Sequence, residues 1–194
     1  AGVDQFSVSL DFPDDRHDRF RGLVGLFDKL SKLMPELSRL GHDDIVLNVC
    51  ITKENIPYLN PCADKAKEWG VNISYSAYSA RRTGNRQLFP EATEDLKLLQ
   101  EQLEHIKQRM NHTHWIVNSL ATLEATYDFF VKKGTPGCMS GRRFLVVTAN
   151  GKLQPCSMQF VRYDLMEQSK MIREFTQQNK CDECYVSIRS YLDK

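Results

Sequence analysis

The chain has 194 residues, of which 41% are hydrophobic and 26% charged, values typical of a globular protein. A formal net charge of +1 argues against nucleic-acid binding driven by bulk electrostatics. No apolar stretch approaches the roughly 20 residues needed to cross a bilayer, and six cysteines are too few for a disulfide scaffold. We therefore expect a protein of the reducing cytoplasm with neither membrane nor nucleic-acid partners.

The first part of the chain predicts alternating strands and helices. Strands are expected over residues 5–12, 44–52 and 71–76, with helices over 18–40 and 56–69 between them. The first helix has an apolar stripe at spacings of three and four, formed by Phe20, Leu23, Val24, Phe27, Leu30, Met34 and Leu37. Strand–helix alternation at this pitch implies right-handed crossovers and a parallel sheet, so the expected fold class is α/β.

Each predicted strand has one apolar face and one face rich in small polar residues. The polar side chains are Ser7, Ser9, Asp11, Asn48, Thr52, Asn72, Ser74 and Ser76. A parallel sheet buried on both sides should be apolar on both. We therefore expect the polar faces to line the inner wall of a barrel that holds a polar ligand and water. The alternative is a sheet with one solvated side, which is rare for parallel sheets.

The second part of the chain predicts helices over residues 91–110 and 115–133, followed by a break at 134–137. This break divides the chain into domains 1–133 and 134–194. Asn150-Gly151 lies between two apolar runs and predicts a tight β-hairpin. A last helix is expected over residues 161–178.

Four cysteines in the second domain have the spacing of a metal site. Cys138 is followed after twelve residues by Gly151, and four residues later by Cys156; Cys181 and Cys184 then form a C-x-x-C pair. Soft thiolate ligands favour an iron–sulfur cluster or zinc, and spacing alone does not distinguish the two. Thiols without metal and a disulfide are the alternatives. Of the remaining cysteines, Cys50 is expected to pack as a small apolar residue and Cys62 to lie on a helix, neither with a functional role.

With these residues laid out, the chain resembles the C-terminal half of a radical S-adenosylmethionine (SAM) enzyme. Residues 7–11, with His17-Asp18 and Arg21-Gly22, resemble the fourth barrel strand and the entry of its helix. Asn48 and the following Lys53-x-Asn55 resemble the fifth strand and its exit loop. The resemblance implies half of a partial (β/α) TIM-like barrel, followed by helices and a small hairpin and cysteine module.

The cysteine module resembles the auxiliary-cluster extension known as SPASM or twitch. That resemblance implies an auxiliary [4Fe–4S] cluster on Cys138, Cys156, Cys181 and Cys184. A full SPASM module would have further cysteines near positions 190 and 194, where this chain has Ser190 and Lys194. One cluster, as in twitch modules, is therefore expected rather than two.

The Cys-x3-Cys-x2-Cys loop that carries the SAM-cleaving cluster in this family has no match in the sequence. The chain opens on Ala1-Gly2-Val3 without an initiating methionine, which suggests a cut inside a larger protein. We therefore expect the second [4Fe–4S] cluster on a missing N-terminal half of the same enzyme. The chain alone is predicted to be inactive in SAM cleavage.

The resemblance implies four SAM contacts. Ser9 and Asp11 would contact the amino-acid moiety of SAM; the alternative is a strand-end cap onto the loop before His17. Arg21 would pair with the SAM carboxylate through its guanidinium fork, or lie solvated on its helix. Asn48 would contact the ligand, with a structural hydrogen bond as the alternative. No catalytic residue is assigned.

By resemblance, the intact enzyme would generate a 5′-deoxyadenosyl radical that abstracts hydrogen from an unknown substrate, possibly a peptide. The auxiliary cluster would transfer electrons, because ligation by four thiolates leaves no open iron site for substrate. The competing hypothesis is a non-enzymatic α/β domain with a structural four-cysteine zinc site, which would contribute folding energy directly.

Overall fold

The computed structural model describes residues 4–42, 44–81, 83–111 and 114–185. Two of the sequence predictions fall outside those ranges. One is the internal start at residues 1–3, and the other is the absence of a second cluster, which was inferred from Ser190 and Lys194. Within the described ranges, no helix combines the length and the apolar character needed to cross a membrane.

The first part of the chain forms a three-stranded parallel sheet with helices. Its elements are, in chain order, β1 (Phe6–Ser9), α1 (Arg16–Arg21), α2 (Leu26–Arg39), β2 (Ile45–Ile51), α3 (Leu59–Trp69) and β3 (Asn72–Ala77). The strands lie in the order β1-β2-β3, and both neighbouring pairs are parallel. The predicted α/β class and parallel sheet are confirmed, whereas closure into part of a barrel remains a prediction.

The apolar faces of the strands form the main core together with the helices. Leu47, Val49 and Ile51 on β2 are completely buried, as is Ile73 on β3. Helix α3 contacts both strands and adds four completely buried side chains, those of Leu59, Cys62, Ala63 and Ala66. Burial of each large aliphatic side chain contributes about 1.5–3 kcal/mol. The division of the strands into an apolar and a polar face is therefore what attaches the helices to one side of the sheet.

The predicted helix over residues 18–40 is wrong, because two helices occupy this range. Gly22 ends α1 and Gly25 precedes α2, both with a positive φ that favours glycine. The Asp18 carboxylate accepts hydrogen bonds from the backbone N–H groups of Gly25 and Phe27 and so caps α2. Val24 of the predicted apolar stripe is 99% exposed in this turn.

The predicted helix over residues 115–133 begins later than expected. Helix α4 (Thr93–Met110) matches its prediction closely, and α5 (Leu120–Lys132) follows it. Between them Trp115 and Val117 hydrogen-bond to the backbone of Ile73, at 2.8 and 2.9 Å, and extend the sheet beyond β3. Ser119 accepts from the backbone N–H of Thr122 and caps α5, which sets the start of the helix.

Up to residue 185, the second part of the chain is a small antiparallel sheet with one α-helix and a short 3-10 helix. It consists of β4 (Val146–Val147), β5 (Lys152–Gln154), β6 (Tyr163–Asp164) and α6 (Gln168–Glu174). The hairpin predicted at Asn150-Gly151 is confirmed, with β4 and β5 antiparallel and Gly151 at φ 72°. The single helix predicted over residues 161–178 is wrong. Tyr163 pairs with β5 and packs with Leu153 and Met171 in a separate small core, so the helix begins only at Gln168.

The C-x-x-C loop of the second part lies against the first part of the chain. Ser79, just beyond β3, donates its Oγ–H to the carbonyl O of Glu183 at 2.9 Å. Arg81 forms an ion pair with the Glu183 carboxylate. Tyr185 is buried in the main core. The boundary between residues 133 and 134 stays a prediction, since these contacts cross it.

Candidate functional site

A row of polar side chains runs across the open face of the parallel sheet. The strand register sets Ser9 beside Asn48 and Asn48 beside Ser74. The Asn48 Nδ2 donates to Ser74 Oγ at 2.9 Å, and Ser76 Oγ donates to Asn48 Oδ1 at 3.1 Å. The alternative to ligand contact by Asn48 was a structural hydrogen bond, and these two bonds are of that kind. Ser9 is exposed at the edge of this row, so a ligand on this face would have access to its hydroxyl.

Asp11 and Arg21, predicted as separate ligand contacts, bind each other. The Asp11 side chain is completely buried, and its Oδ2 accepts from Arg21 Nε at 2.7 Å and pairs with Arg21 Nη2 at 2.6 Å. Its Oδ1 accepts from the backbone N–H of Cys50 at 3.2 Å. Asp11 therefore ties α1 to β2. The Arg21 side chain remains 34% exposed, and this outer part is where a carboxylate ligand would have to bind.

Asn55 belongs to the exit loop named from the sequence, but the sequence interpretation assigned it no role in the site. It is completely buried, and its Nδ2 donates to the carbonyl O atoms of Asp11 and Cys50 at 3.2 and 2.9 Å. Its Oδ1 accepts from the backbone N–H of Thr52 at 2.8 Å. One amide thus joins the carboxyl ends of β1 and β2. An asparagine a few residues after an apolar strand was the available signal, but its partners are distant in sequence.

His17 lies in the first turn of α1, beside the loop after β1, and is also completely buried. Its Nδ1 accepts from the backbone N–H of Asp11 at 3.2 Å, so the proton of the neutral ring lies on Nε2. Burial lowers the pKa of His17; the charges of Asp11 and Asp18 oppose this shift, and that of Arg21 adds to it. The folded state therefore favours the neutral imidazole.

We expect the free energy of unfolding to fall as the pH drops below about 6.5, the ordinary pKa of histidine. In this range His17 binds a proton in the unfolded chain more readily than in the folded protein, where its pKa is lowered. The slope from this one residue should reach at most about 1.4 kcal/mol per pH unit. Urea unfolding at pH 7, 6 and 5 measures it, and His17→Asn, which keeps the acceptor for Asp11, should reduce the slope. His105→Asn, at an exposed position on α4, is the control. An unchanged slope in His17→Asn would contradict the assignment.

The four cysteines of the second part are half-buried or buried. Cys156 and Cys184 are buried, Cys138 and Cys181 are half-buried, and all four are thiols. Burial raises the pKa of the Cys156 thiol, and nearby Cys138 and Cys181 raise it further, while the backbone amides of Met158 and Gln159 favour the thiolate. Within the described residues, however, no three His, Cys, Asp or Glu side chains already form a metal-binding group. The metal site therefore remains a prediction.

Asn179 connects two of these cysteines and was not identified from the sequence. Its Nδ2 donates to the carbonyl O of Cys138 at 3.0 Å. Its Oδ1 accepts from the backbone N–H of Cys181 at 3.1 Å. The only sequence signal is an asparagine two residues before a cysteine, which is typical of a local turn and does not point to Cys138.

The other two cysteines belong to the first part of the chain, as expected. Cys50 lies on β2 and Cys62 on α3. Burial raises the pKa of the Cys50 thiol to about 12 and that of the Cys62 thiol further. Both therefore stay protonated near neutral pH and pack as apolar side chains.

Comparison with known proteins gives two relatives with the same name. The chain is 27% identical over 172 residues to an AdoMet-dependent heme synthase of Oleidesulfovibrio alaskensis, covering 80% of this chain and 44% of that protein. It is 27% identical over 171 residues to an AdoMet-dependent heme synthase of Methanosarcina barkeri, covering 80% of this chain and 48% of that protein. The chain thus spans less than half the length of these relatives. No protein-family model matches it. The two relatives support the resemblance to radical SAM enzymes, and the SPASM or twitch character of the cysteine module remains a prediction.

Proposed function

We propose that this chain forms part of a radical SAM enzyme, in which it binds SAM on the polar face of the sheet and an auxiliary [4Fe–4S] cluster on its cysteines. The observation that carries the proposal is the similarity, over 80% of the chain, to two proteins named for their dependence on AdoMet. It agrees with the sheet, because ligands of parallel α/β sheets bind at the carboxyl ends of the strands. Ser9, Asp11 and Asn55 all lie at those ends.

The polar face suggests a division of roles in SAM binding. Ser9 offers an exposed hydroxyl, and Asn48 offers an amide held at a fixed angle by Ser74 and Ser76. Arg21 would bind the SAM carboxylate with the exposed part of its guanidinium. Asp11 acts behind Arg21, since its buried carboxylate holds Nε and Nη2 in place. In this proposal Asp11 positions Arg21 rather than contacting SAM itself.

The four cysteines fit an iron–sulfur cluster by donor chemistry. Thiolate sulfur is the usual ligand of such clusters, and Cys138 and Cys181 both act electrostatically on the Cys156 thiol and raise its pKa. Cys184, which is 5% exposed, would be the fourth ligand. A bound cluster of this kind supplies one-electron transfer. Full ligation by four thiolates would keep substrate off the iron atoms.

SAM cleavage requires a cluster that this sequence does not provide, because it contains no Cys-x3-Cys-x2-Cys loop. We propose that another polypeptide segment, the partner expected from the sequence, supplies that cluster and completes the enzyme. This chain alone should produce no 5′-deoxyadenosine from SAM. For the substrate, the name of the two relatives favours a haem precursor over the peptide considered from the sequence.

Anaerobic iron–sulfur reconstitution, followed by iron, sulfide and zinc analysis and EPR, tests the cluster. About four irons and four sulfides per chain are expected for a [4Fe–4S] cluster. Isothermal titration with SAM tests the other half of the proposal, and Ser9→Ala and Arg21→Ala should each weaken binding. About one zinc per chain without iron would instead support the structural zinc hypothesis. That result, together with no SAM binding, would overturn the proposed function.

A further inference from the structure

A single side chain joins the backbones that carry Cys138 and Cys181. The amide of Asn179 donates to the Cys138 carbonyl O at 3.0 Å and accepts from the Cys181 N–H at 3.1 Å. Asn179 and Cys138 are 41 residues apart in sequence, so the first bond is tertiary rather than part of a local turn. This amide therefore sets the distance between two cysteine backbones that approach from separate segments.

The surroundings of Asn179 are closely fitted. Its Nδ2 also lies 3.3 Å from Ser140 Oγ, and Thr176 Oγ1 donates to the Ser140 carbonyl O at 3.2 Å. Gly141 has a positive φ, and a Cβ added there would overlap Thr176 Oγ1. Only glycine permits this close approach without displacing Thr176. The two segments are thus held together at several points, and Asn179 is the side chain that bonds to both cysteine backbones.

We propose that Asn179 is the positioning residue that sets the separation of the Cys138 and Cys181 thiolates for metal binding. The inference rests on the four-cysteine metal site of the proposed function. Both halves of the amide are needed, since one must donate to a carbonyl and the other must accept from an N–H. A carboxylate of the same shape would keep the bond to Cys181, lose the bond to Cys138, and add a negative charge near two thiolates.

The test variant is Asn179→Asp, and the chain offers a matched control. Asn85 accepts from the backbone N–H of Gln87, two residues ahead, at 3.0 Å, in the same type of turn but in a loop without cysteines. Asn85→Asp therefore makes the same change of charge and shape. A second control, Thr176→Val, removes the neighbouring bond to Ser140 and leaves both cysteine contacts of Asn179 intact.

Two measurements separate this inference from the proposed function. The first is anaerobic titration with Co²⁺, followed by thiolate-to-cobalt charge-transfer absorption. The second needs no metal and uses a Cys184→Ala background, which removes the adjacent competing thiol. The protein is oxidised with diamide, and peptide mapping measures the rate at which the Cys138–Cys181 disulfide forms. Asn179→Asp should weaken Co²⁺ binding and slow the disulfide by about tenfold each, the effect of losing roughly one hydrogen bond. Both controls should stay within about twofold of the parent protein.

The inference would be overturned if Asn179→Asp formed the disulfide as fast as the parent protein. It would also be overturned if Thr176→Val formed the disulfide as slowly as Asn179→Asp. Should the parent protein take up neither cobalt nor iron, the proposed function fails, while the disulfide rates still decide the role of Asn179. Asn179→Gln, which keeps the amide on a longer side chain, should recover part of both signals. It also provides the test if the aspartate variant does not fold.

Discussion

Cys184→Ala should abolish cluster binding, reducing iron after reconstitution from about four per chain to less than about one. The Cys184 side chain is 5% exposed, so an alanine leaves one iron without a protein ligand in a place where water has little access to replace it. Iron and sulfide analysis with EPR of the reduced protein measures the loss. Cys138→Ala should have the same effect, since both thiolates belong to the proposed ligand set.

Cys62→Ala is the matched control for this experiment. It also replaces a buried cysteine with alanine, but Cys62 packs in α3 within the main core and is not one of the proposed ligands. It should cost about 1 kcal/mol of stability through the cavity it leaves, with iron content unchanged. If Cys184→Ala kept four irons and the EPR spectrum of the parent protein, Cys184 would not be a ligand, and the expectation of electron transfer by a cluster with four cysteine ligands would fail with it.

Asp11→Asn should lower the free energy of unfolding by about 2–4 kcal/mol. The Asp11 carboxylate is completely buried, and its loss of charge leaves the Arg21 guanidinium without its counter-charge. Breaking a fully buried pair costs about 3–5 kcal/mol. We expect less here, because the Arg21 side chain is 34% exposed and water solvates part of it. Urea unfolding at pH 7 gives the difference.

Asp15→Asn provides the comparison. Asp15 lies at the start of α1, the helix that carries Arg21. Asp15 pairs with Arg19 at 2.7 Å, and both side chains are more than half exposed, at 75% and 66%. An exposed ion pair of this kind contributes under about 1 kcal/mol. Equal losses in the two variants would show that the burial of Asp11 does not matter. A loss confined to Asp11→Asn would also predict weaker SAM binding, through a displaced Arg21.

The parts of the fold that follow from local patterns were predictable. Alternation of apolar and polar residues located all three parallel strands, and Asn150-Gly151 located the hairpin. The errors came where a local pattern was overruled. Leu23 and Val24 continue the helical spacing of their neighbours. The chain nevertheless turns at these residues, because a glycine lies on each side of them and Asp18 caps the helix that follows. Likewise, pairing with Leu153 draws Tyr163 into a strand, so that α6 begins later than its sequence suggests.

The candidate site divides in the same way. Cysteine spacing and strand faces are sequence properties, so the four cysteines, Ser9 and Asn48 could be named in advance. The roles of Asn55 and Asn179 could not be predicted, because each acts by hydrogen bonds to backbone atoms of distant segments, up to 44 residues away for Asn55. The pairing of Asp11 with Arg21 was missed for a similar reason. The sequence indicates that both are polar and near a strand end, but not that they satisfy each other.

The contact between Ser79 and Glu183 has a consequence for how the protein is made. These residues are 104 positions apart, so the loop carrying Cys181 and Cys184 docks beside β3 only after residue 183 has been synthesised. Contacts of such long range form slowly, and the proposed ligands would therefore come together at a late step of folding. A cofactor delivered before Cys181 has been synthesised would meet only Cys138 and Cys156 of the four proposed ligands.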